Sequence, residues 1–314
     1  MNEIESAGRD ASLSPIDSAL RARVQPSPLD RLLALYLIVS GAALLFPYRQ
    51  PGWLALAVVH VAGALMLVGA PPFDRMRAAV TRVTPRLSSF LHDWHALLLM
   101  PALYTELAVL NRAVWNGRYF DDTIIALEQL VFGGQPSTAL AQLAPTLWLS
   151  EPLHLAYLSY YFIIFGPPLL LYARGRHDQF RAVVFTLMLT FFAHYVVFVY
   201  FPVQGPRYLF PPPGGELAGG PFYRIAHQLL EAGSAQGSAF PSSHVGVSLA
   251  QTLSMARYAP ALALPVGVLT TGLALGAVYG GFHYAVDVLV GAALGALIVL
   301  CAPSLRRWLH SPAA

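Results

Sequence analysis

Two histidines, two serines and an aspartate stand in the last third of the chain at spacings that suit phosphoryl transfer. Gly-Ser-Ala-Phe-Pro-Ser-Ser-His runs from Gly237 to His244, and His-Tyr-Ala-Val-Asp runs from His283 to Asp287. On a helix, residues four apart lie on one face, one turn apart, so Asp287 sits beside His283. A carboxylate that accepts a hydrogen bond from one ring nitrogen leaves the other nitrogen basic and aimed outward, as an activated nucleophile requires. The same pair can serve as a plain polar lock between helices. Pro241, Ser242 and Ser243 suit a tight turn into a helix that begins near His244. Free N–H groups at that helix start, together with the serine hydroxyls, would receive phosphate oxygens; the hydroxyls would equally cap the helix. His244 would then protonate a leaving oxygen. Arg207, in Gly-Pro-Arg-Tyr (205–208), carries a guanidinium fit for bidentate phosphate binding. Taken alone, an arginine there would read as an interfacial snorkelling residue.

The rest of the chain must place these groups, and it reads as membrane-embedded. Of 314 residues, 56% are hydrophobic and only 11% charged, where a soluble domain carries roughly 25% charged residues. The net charge of +3 is small and scattered, which excludes a nucleic-acid partner. The one cysteine, Cys301, lies in an apolar run, so neither an internal disulfide nor a cysteine metal site is expected. Residues 1–29 are polar and aperiodic, predicting a disordered tail. The first apolar run starts near residue 32 with no small-residue cleavage pattern after it, so no cleaved signal peptide is expected.

Eight apolar runs follow, near 32–48, 53–70, 94–114, 152–172, 180–201, 243–255, 261–279 and 284–302. Glu106 and Asn111 interrupt the third, the sixth is short for a span, and Pro265 predicts a kink in the seventh. The expectation is an all-α, polytopic membrane bundle of about eight spans, with residues 30–304 as one domain and 305–314 as a C-terminal tail. All 19 cationic residues are arginine. With the N-terminus inside and every run crossing, fourteen arginines fall on the inner side and five (Arg49, Arg112, Arg118, Arg207 and Arg224) on the outer. That is the sense the positive-inside rule demands. It puts His244 and His283 together on the external face, both termini in the cytoplasm, and the chain in the cell membrane.

Other polar residues carry open readings. Glu151, His154 and His194 would line a head-group pocket, or make plain contacts between helices. Residues 119–134 look like an amphipathic interfacial helix, with Ile124, Leu127, Leu130 and Val131 at helical spacing. On it, Asp121, Asp122 and Glu128 read as solvated carboxylates, or as ligands for a cation or a polyol. A short helix is expected at 221–231. His92 and His95 have a metal-like spacing but only Asp93 beside them, so no metal and no cofactor is expected. Gly291 and Gly295 predict close helix packing. His60 and Glu106 read as buried polar residues without an assigned partner.

Pro-Ser-Ser-His (241–244) and His-Tyr-Ala-Val-Asp-Val-Leu-Val-Gly (283–291) resemble the second and third signature motifs of the type 2 phosphatidic acid phosphatase superfamily. Gly-Pro-Arg-Tyr resembles the first motif in part. The layout resembles the branch that contains inositol phosphorylceramide synthase. The resemblance implies a six-helix phosphatase-like core and a membrane lipid phosphate as substrate. It makes His283 the nucleophile, Asp287 its orienting group and His244 the general acid, with Arg207, Ser242 and Ser243 holding phosphate oxygens. Three positions depart from the commoner motifs. Ser243 stands where glycine is usual, Tyr200 where a lysine stands, and Ala277 where the third motif has an arginine. Fewer phosphate-binding cations favour a phosphodiester over a pyrophosphate, and the named branch also lacks the third-motif arginine. The implied activity is a lipid phosphatase or phosphotransferase; the alternative is a non-catalytic lipid carrier or transporter that only binds head groups. Transporters often carry inverted repeats, and none is visible in this sequence.

Overall fold

A computed structural model describes residues 26–69 and 85–310, with side chains from residue 89 in the second stretch. The polar leader up to residue 25, the inner arginines Arg9, Arg21, Arg23, Arg75, Arg77 and Arg82, the side chain of Arg86, and residues 311–314 lie outside the described residues. Among the described residues the chain is all-α and has no strand; one isolated backbone bridge joins Val203 and Ser238.

Each of the eight apolar runs is helical. The first forms α1 (Pro28–Gly41), extended by a 3₁₀ turn to Leu45. Ser27 and Asp30 start it with a reciprocal capping box, at 3.1 and 2.8 Å. Then come α2 (Trp53–Leu67), the bent pair α3 (Pro85–Thr105) and α4 (Leu107–Trp115), and the outer helices α5 (Asp121–Phe132) and α6 (Pro136–Leu143). A second bent pair follows, α7 (Leu147–Leu158) and α8 (Tyr160–Ala173), and then α9 (His177–Tyr200). Short α10 (Pro206–Leu209) and outer α11 (Pro221–Gly233) lead to α12 (Ser243–Tyr258), α13 (Pro260–Tyr279) and α14 (Ala285–His310). Pro28–Leu45, α9, α13 and α14 are each long and apolar enough to span a membrane, and the two bent pairs raise the number to six. The other two runs, α2 with 15 residues and α12 with 16, fall short of the ~20 a span needs. The chain is therefore a polytopic helical membrane bundle.

The bends fall where polar residues interrupt apolar runs. Between α3 and α4 the axis turns by 44° at Glu106, and between α7 and α8 by 43° at Ser159. Pro265, where a kink was expected, lies in the second turn of α13, which is one helix from Pro260 to Tyr279. Glu106 and His60, left without an assigned partner by the sequence, hold each other: His60 Nε2 lies 3.1 Å from the Glu106 carboxylate. A buried polar group in an apolar bundle needs such a partner.

Helix α9 is the axis of the bundle, with 78% of its most apolar stretch buried against 33% for α13 and α14. Beside it, α12, α13 and α14 alternate in direction. Thr252 and Thr270 hydroxyls meet at 2.9 Å across the α12–α13 hairpin, and the Ser242 N–H donates to the Asp287 carbonyl at 2.9 Å between the starts of α12 and α14. The starts of α12 and α14 thus share one end of the bundle. The other end is rich in arginine contacts: Arg31 donates to the Leu309 carbonyl at 2.6 Å, Arg176 to that of Tyr258 at 2.6 Å, and Arg181 pairs with Asp93 at 2.8 Å. The first of these contacts reaches residues expected to form a tail; α14 continues through them to His310.

Gly291 and Gly295 are the close-packing residues the sequence predicts. A Cβ on Gly291 would overlap the Ser242 carbonyl oxygen, and one on Gly295 would overlap that of Gly246. Gly295→Val should therefore destabilise the fold by about 1–3 kcal/mol, the usual cost of overpacking. Leu297→Ala, at a position 56% exposed, should stay within about 0.5 kcal/mol. Thermal unfolding of the detergent-solubilised protein separates the two.

Candidate active site

Three loops meet at the end of the bundle where α12 and α14 begin, and their backbones are stitched together. The Val203 N–H donates to the Gly237 carbonyl at 3.3 Å, and the Ala239 N–H to the Val203 carbonyl at 2.9 Å. Gly205 sits at φ 96°, a region that favours glycine. A Cβ there would stand 3.0 Å from the Ala239 Cβ and 3.3 Å from the Phe282 carbonyl oxygen. The loop after α9, the loop before α12 and the loop between α13 and α14 are therefore in mutual contact. The first leads into Arg207 on α10, the second into His244 in the first turn of α12, and the third carries His283.

His283 and Asp287 are not on one continuous helix, as their spacing suggested. His283 belongs to the loop that closes α13, where the N–H groups of Phe282 and His283 both donate to the Ala277 carbonyl at 3.0 Å. Asp287 lies in the first turn of α14 and reaches back. Its Oδ2 accepts from the Tyr284 N–H at 2.9 Å and faces His283 Nδ1 at 3.4 Å. Both residues are buried, Asp287 completely. The result resembles half of a capping box, with the histidine ring as an added donor.

The His244 ring centre is 5.7 Å from that of His283, so the two imidazoles stand side by side. Two tyrosines of the α7–α8 bend enclose His244: Tyr160, with ring centres 4.2 Å apart, and Tyr157, at 5.2 Å and stacked. The Tyr157 hydroxyl lies 3.5 Å from His244 Nε2. Ser242 caps α12, its hydroxyl accepting from the Val245 N–H at 3.4 Å, and Ser243 is buried beside it. Arg207, on α10, lines a cleft of about 640 Å³ that includes His227, Phe282 and the prolines 211–213, and its Nη1 has no partner among the described residues.

The three residues considered for a head-group pocket each contact helix backbone. Both oxygens of Glu151 receive backbone N–H groups at the start of α11, from Phe222 at 3.1 Å and Tyr223 at 3.0 Å. His154 is fully buried; its Nδ1 faces the Ser150 carbonyl at 2.7 Å, and its ring is hemmed by Tyr223 and Phe282. His194 is also fully buried, with Nδ1 facing the Thr190 carbonyl at 2.7 Å and Nε2 against Gly246 of α12. It supports α12 from behind.

The sequence reading missed several neighbours. Tyr157 and Tyr160 sat within an apolar run, where aromatic residues give no signal of their own. His227 lies with its ring centre 4.9 Å from that of Phe282 and 4.0 Å from that of Tyr223. Burial, then His154 and Arg207, hold its pKa down at about 4, so it is neutral at physiological pH. Its spacing from Tyr223, four residues along an amphipathic helix, was the available signal. Asp121 and Glu128, expected to be solvated, are buried, and Asp122 alone is exposed. Ile124 turns inward with them, while Leu130 and Val131 are 82% and 54% exposed. The helix thus packs Asp121, Ile124 and Glu128 into the protein and shows Leu130 and Val131 outward.

The all-α membrane bundle thus brings two imidazoles, a carboxylate and a guanidinium to the end where α12 and α14 begin. A sequence profile of the PAP2 superfamily matches residues 122–301 of the 314. The chain belongs to that superfamily, and membership supports a phosphatase-type phosphoesterase activity. No curated protein and no solved structure matches the chain.

Glu151 offers a test of this geometry away from the histidines. Hydrogen bonds to a charged group contribute about 1.5–3 kcal/mol, so Glu151→Ala should loosen the first turn of α11. Hydrogen–deuterium exchange should then quicken at Phe222 and Tyr223, with α14 unchanged.

Proposed function

We propose that this chain is an integral-membrane lipid phosphatase or phosphotransferase that works through a phosphohistidine on His283. The observation that carries the reading is the 5.7 Å pairing of the His244 and His283 rings, with Asp287 behind His283. Asp287 engages Nδ1 and leaves Nε2 as the attacking atom. Nε2 forms a bond to phosphorus as the bond to the leaving alcohol oxygen breaks, and His244 gives that oxygen its proton. Water or an alcohol then attacks the phosphohistidine. The P–N bond breaks, and His244 takes the acceptor's proton. Arg207, the Ser242 hydroxyl and the backbone at Ser243 hold the non-bridging oxygens, as fixed donors at developing negative charge.

The substrate is a membrane lipid phosphate. Arg207 is the one arginine lining the cleft. Ala277, fully buried with its carbonyl receiving two N–H groups, stands where another cation is usual. Both features support a phosphodiester lipid and a branch like inositol phosphorylceramide synthase. Residues 30–304 form the catalytic domain. The arginine bias supports a site on the external face of the cell membrane with both termini in the cytoplasm.

Purified protein incubated with a panel of lipid phosphates, with and without ceramide and other alcohols, should release phosphate or form a new phospholipid. His283→Ala should abolish turnover and the acid-labile label left by a radioactive lipid phosphate. His244→Ala should lose about 10²–10⁴-fold, the usual contribution of positioned proton transfer. Ordinary turnover by His283→Ala would falsify the nucleophile assignment. A wild-type protein that binds the lipids but takes no label would be a carrier.

A further inference from the structure

Helix α5 lies outside the expected spans, yet its first residue reaches both sides of the proposed site. The Asp121 carboxylate is buried and accepts three hydrogen bonds. Oδ2 receives the Gln204 N–H at 2.9 Å, and Oδ1 receives the Gly205 N–H at 2.9 Å and the Tyr284 hydroxyl at 3.1 Å. Gln204 and Gly205 lead directly into Pro206 and Arg207. Tyr284 follows His283, is itself fully buried, and gives its N–H to Asp287. Two further bonds tie the same helix down. The Phe120 N–H donates to the Pro202 carbonyl at 2.9 Å, and Glu128 accepts the Val286 N–H, one residue before Asp287, at 3.0 Å.

We propose that Asp121 is a positioning residue of the reaction, the brace that sets the distance between the Arg207 turn and the His283 loop, with Tyr284 as its link to the nucleophile. The inference rests on the roles given to His283 and Arg207 above. The physical argument is one of satisfied burial. A buried carboxylate is stable only when its lone pairs are occupied. Here the occupants belong to two different loops, so the carboxylate cannot keep its bonds unless both loops hold their places. Asparagine cannot substitute, because its amide NH₂ would face an N–H donor. The two ends of the brace can be cut separately. Tyr284→Phe removes only the link to the His283 loop and leaves both N–H donors from the Arg207 turn. Asp121→Asn disturbs both.

The test uses the full chain in detergent micelles with whichever lipid phosphate of the panel it turns over, and orthovanadate as a mimic of the phosphoryl group in flight. Misplacement of about 1 Å costs up to about 10²-fold in rate. Tyr284→Phe should accordingly lower kcat by about tenfold and weaken vanadate inhibition in step. Its KM and melting temperature should hold. Asp121→Asn should lower kcat further and raise KM, because the Arg207 turn is freed as well. A stability defect alone would not separate the two variants by KM. If both fold and turn over as the wild type does, with unchanged KM and vanadate inhibition, the brace is wrong. If Asp121→Asn does not fold, Tyr284→Phe decides alone. His283→Ala is run beside them. Turnover that survives it, or an inactive wild type, removes the phosphohistidine reading and the brace with it. Turnover lost in His283→Ala but untouched in the other two removes the brace alone.

Discussion

The approach of the α12 and α14 backbones is the constraint on which the rest depends. The Ser242 N–H bonds the Asp287 carbonyl, and Gly291 has no side chain to hold the two helix starts apart. One turn deeper, Gly295 does the same against Gly246. Lipid tails are as apolar as leucine, so helices in a membrane gain nothing from hydrophobic burial against each other and rely on close packing and hydrogen bonds. The two glycines supply both conditions. They also fix the site, since His244 is two residues beyond Ser242 and His283 four residues before Asp287. Any widening of this contact would separate the imidazoles before it affected anything else.

A second principle organises the outer face. Glu151 receives the first N–H groups of α11, Glu128 those at the start of α14, and Asp121 the turn before Arg207. Helix starts and turns leave N–H groups without internal partners. Away from bulk water those groups need acceptors, and a carboxylate is a strong one that also suits the positive end of a helix dipole. The outer segments are therefore docked by charge-assisted bonds to backbone beside two small apolar clusters, one around Ile124, Val203, Ala239 and Tyr284 and one around Ala141, Leu217, Tyr223 and Tyr279. Such a lid keeps its apolar side free, as Leu130 and Val131 show on α5.

What was legible in the sequence follows from these two devices. The apolar runs announced the helices because lipid demands it, and every run is a helix. The small residues of α14 announced its packing. His244, His283, Asp287 and Arg207 stood out as candidates because their types are rare in apolar surroundings, and the structure brings all four to one end of the bundle. The outer acids were misread because local pattern cannot show which backbone groups a carboxylate will meet. Asp121 and Tyr284 are 163 residues apart, and Glu128 and Val286 are 158 apart. The docking role of Glu151 was hidden for the same reason: its partners are backbone groups of α11, invisible until the chain is folded. The His283–Asp287 spacing pointed to the right contact by the wrong geometry, because a carboxylate in the first turn reaches back as readily as it reaches along a helix face.

The cleft beside Arg207 bears on what would attack the proposed phosphohistidine. At about 640 Å³ it far exceeds the ~30 Å³ that a water molecule occupies. An attacking water needs no such space, but the leaving alcohol, or an acceptor alcohol in its place, does. Phe210, Phe282 and the prolines 211–213 make much of its wall rigid and apolar, while Arg207, His227, Gln142 and Glu231 supply polar groups. A neutral imidazole and an amide can each give or take a hydrogen bond, which suits hydroxyl groups better than a second phosphate. Glu231, a carboxylate at the same wall, would repel such a phosphate outright. The shape and charge of the cleft thus support the proposed substrate: one anionic group at Arg207, and neutral hydroxylated matter beyond it.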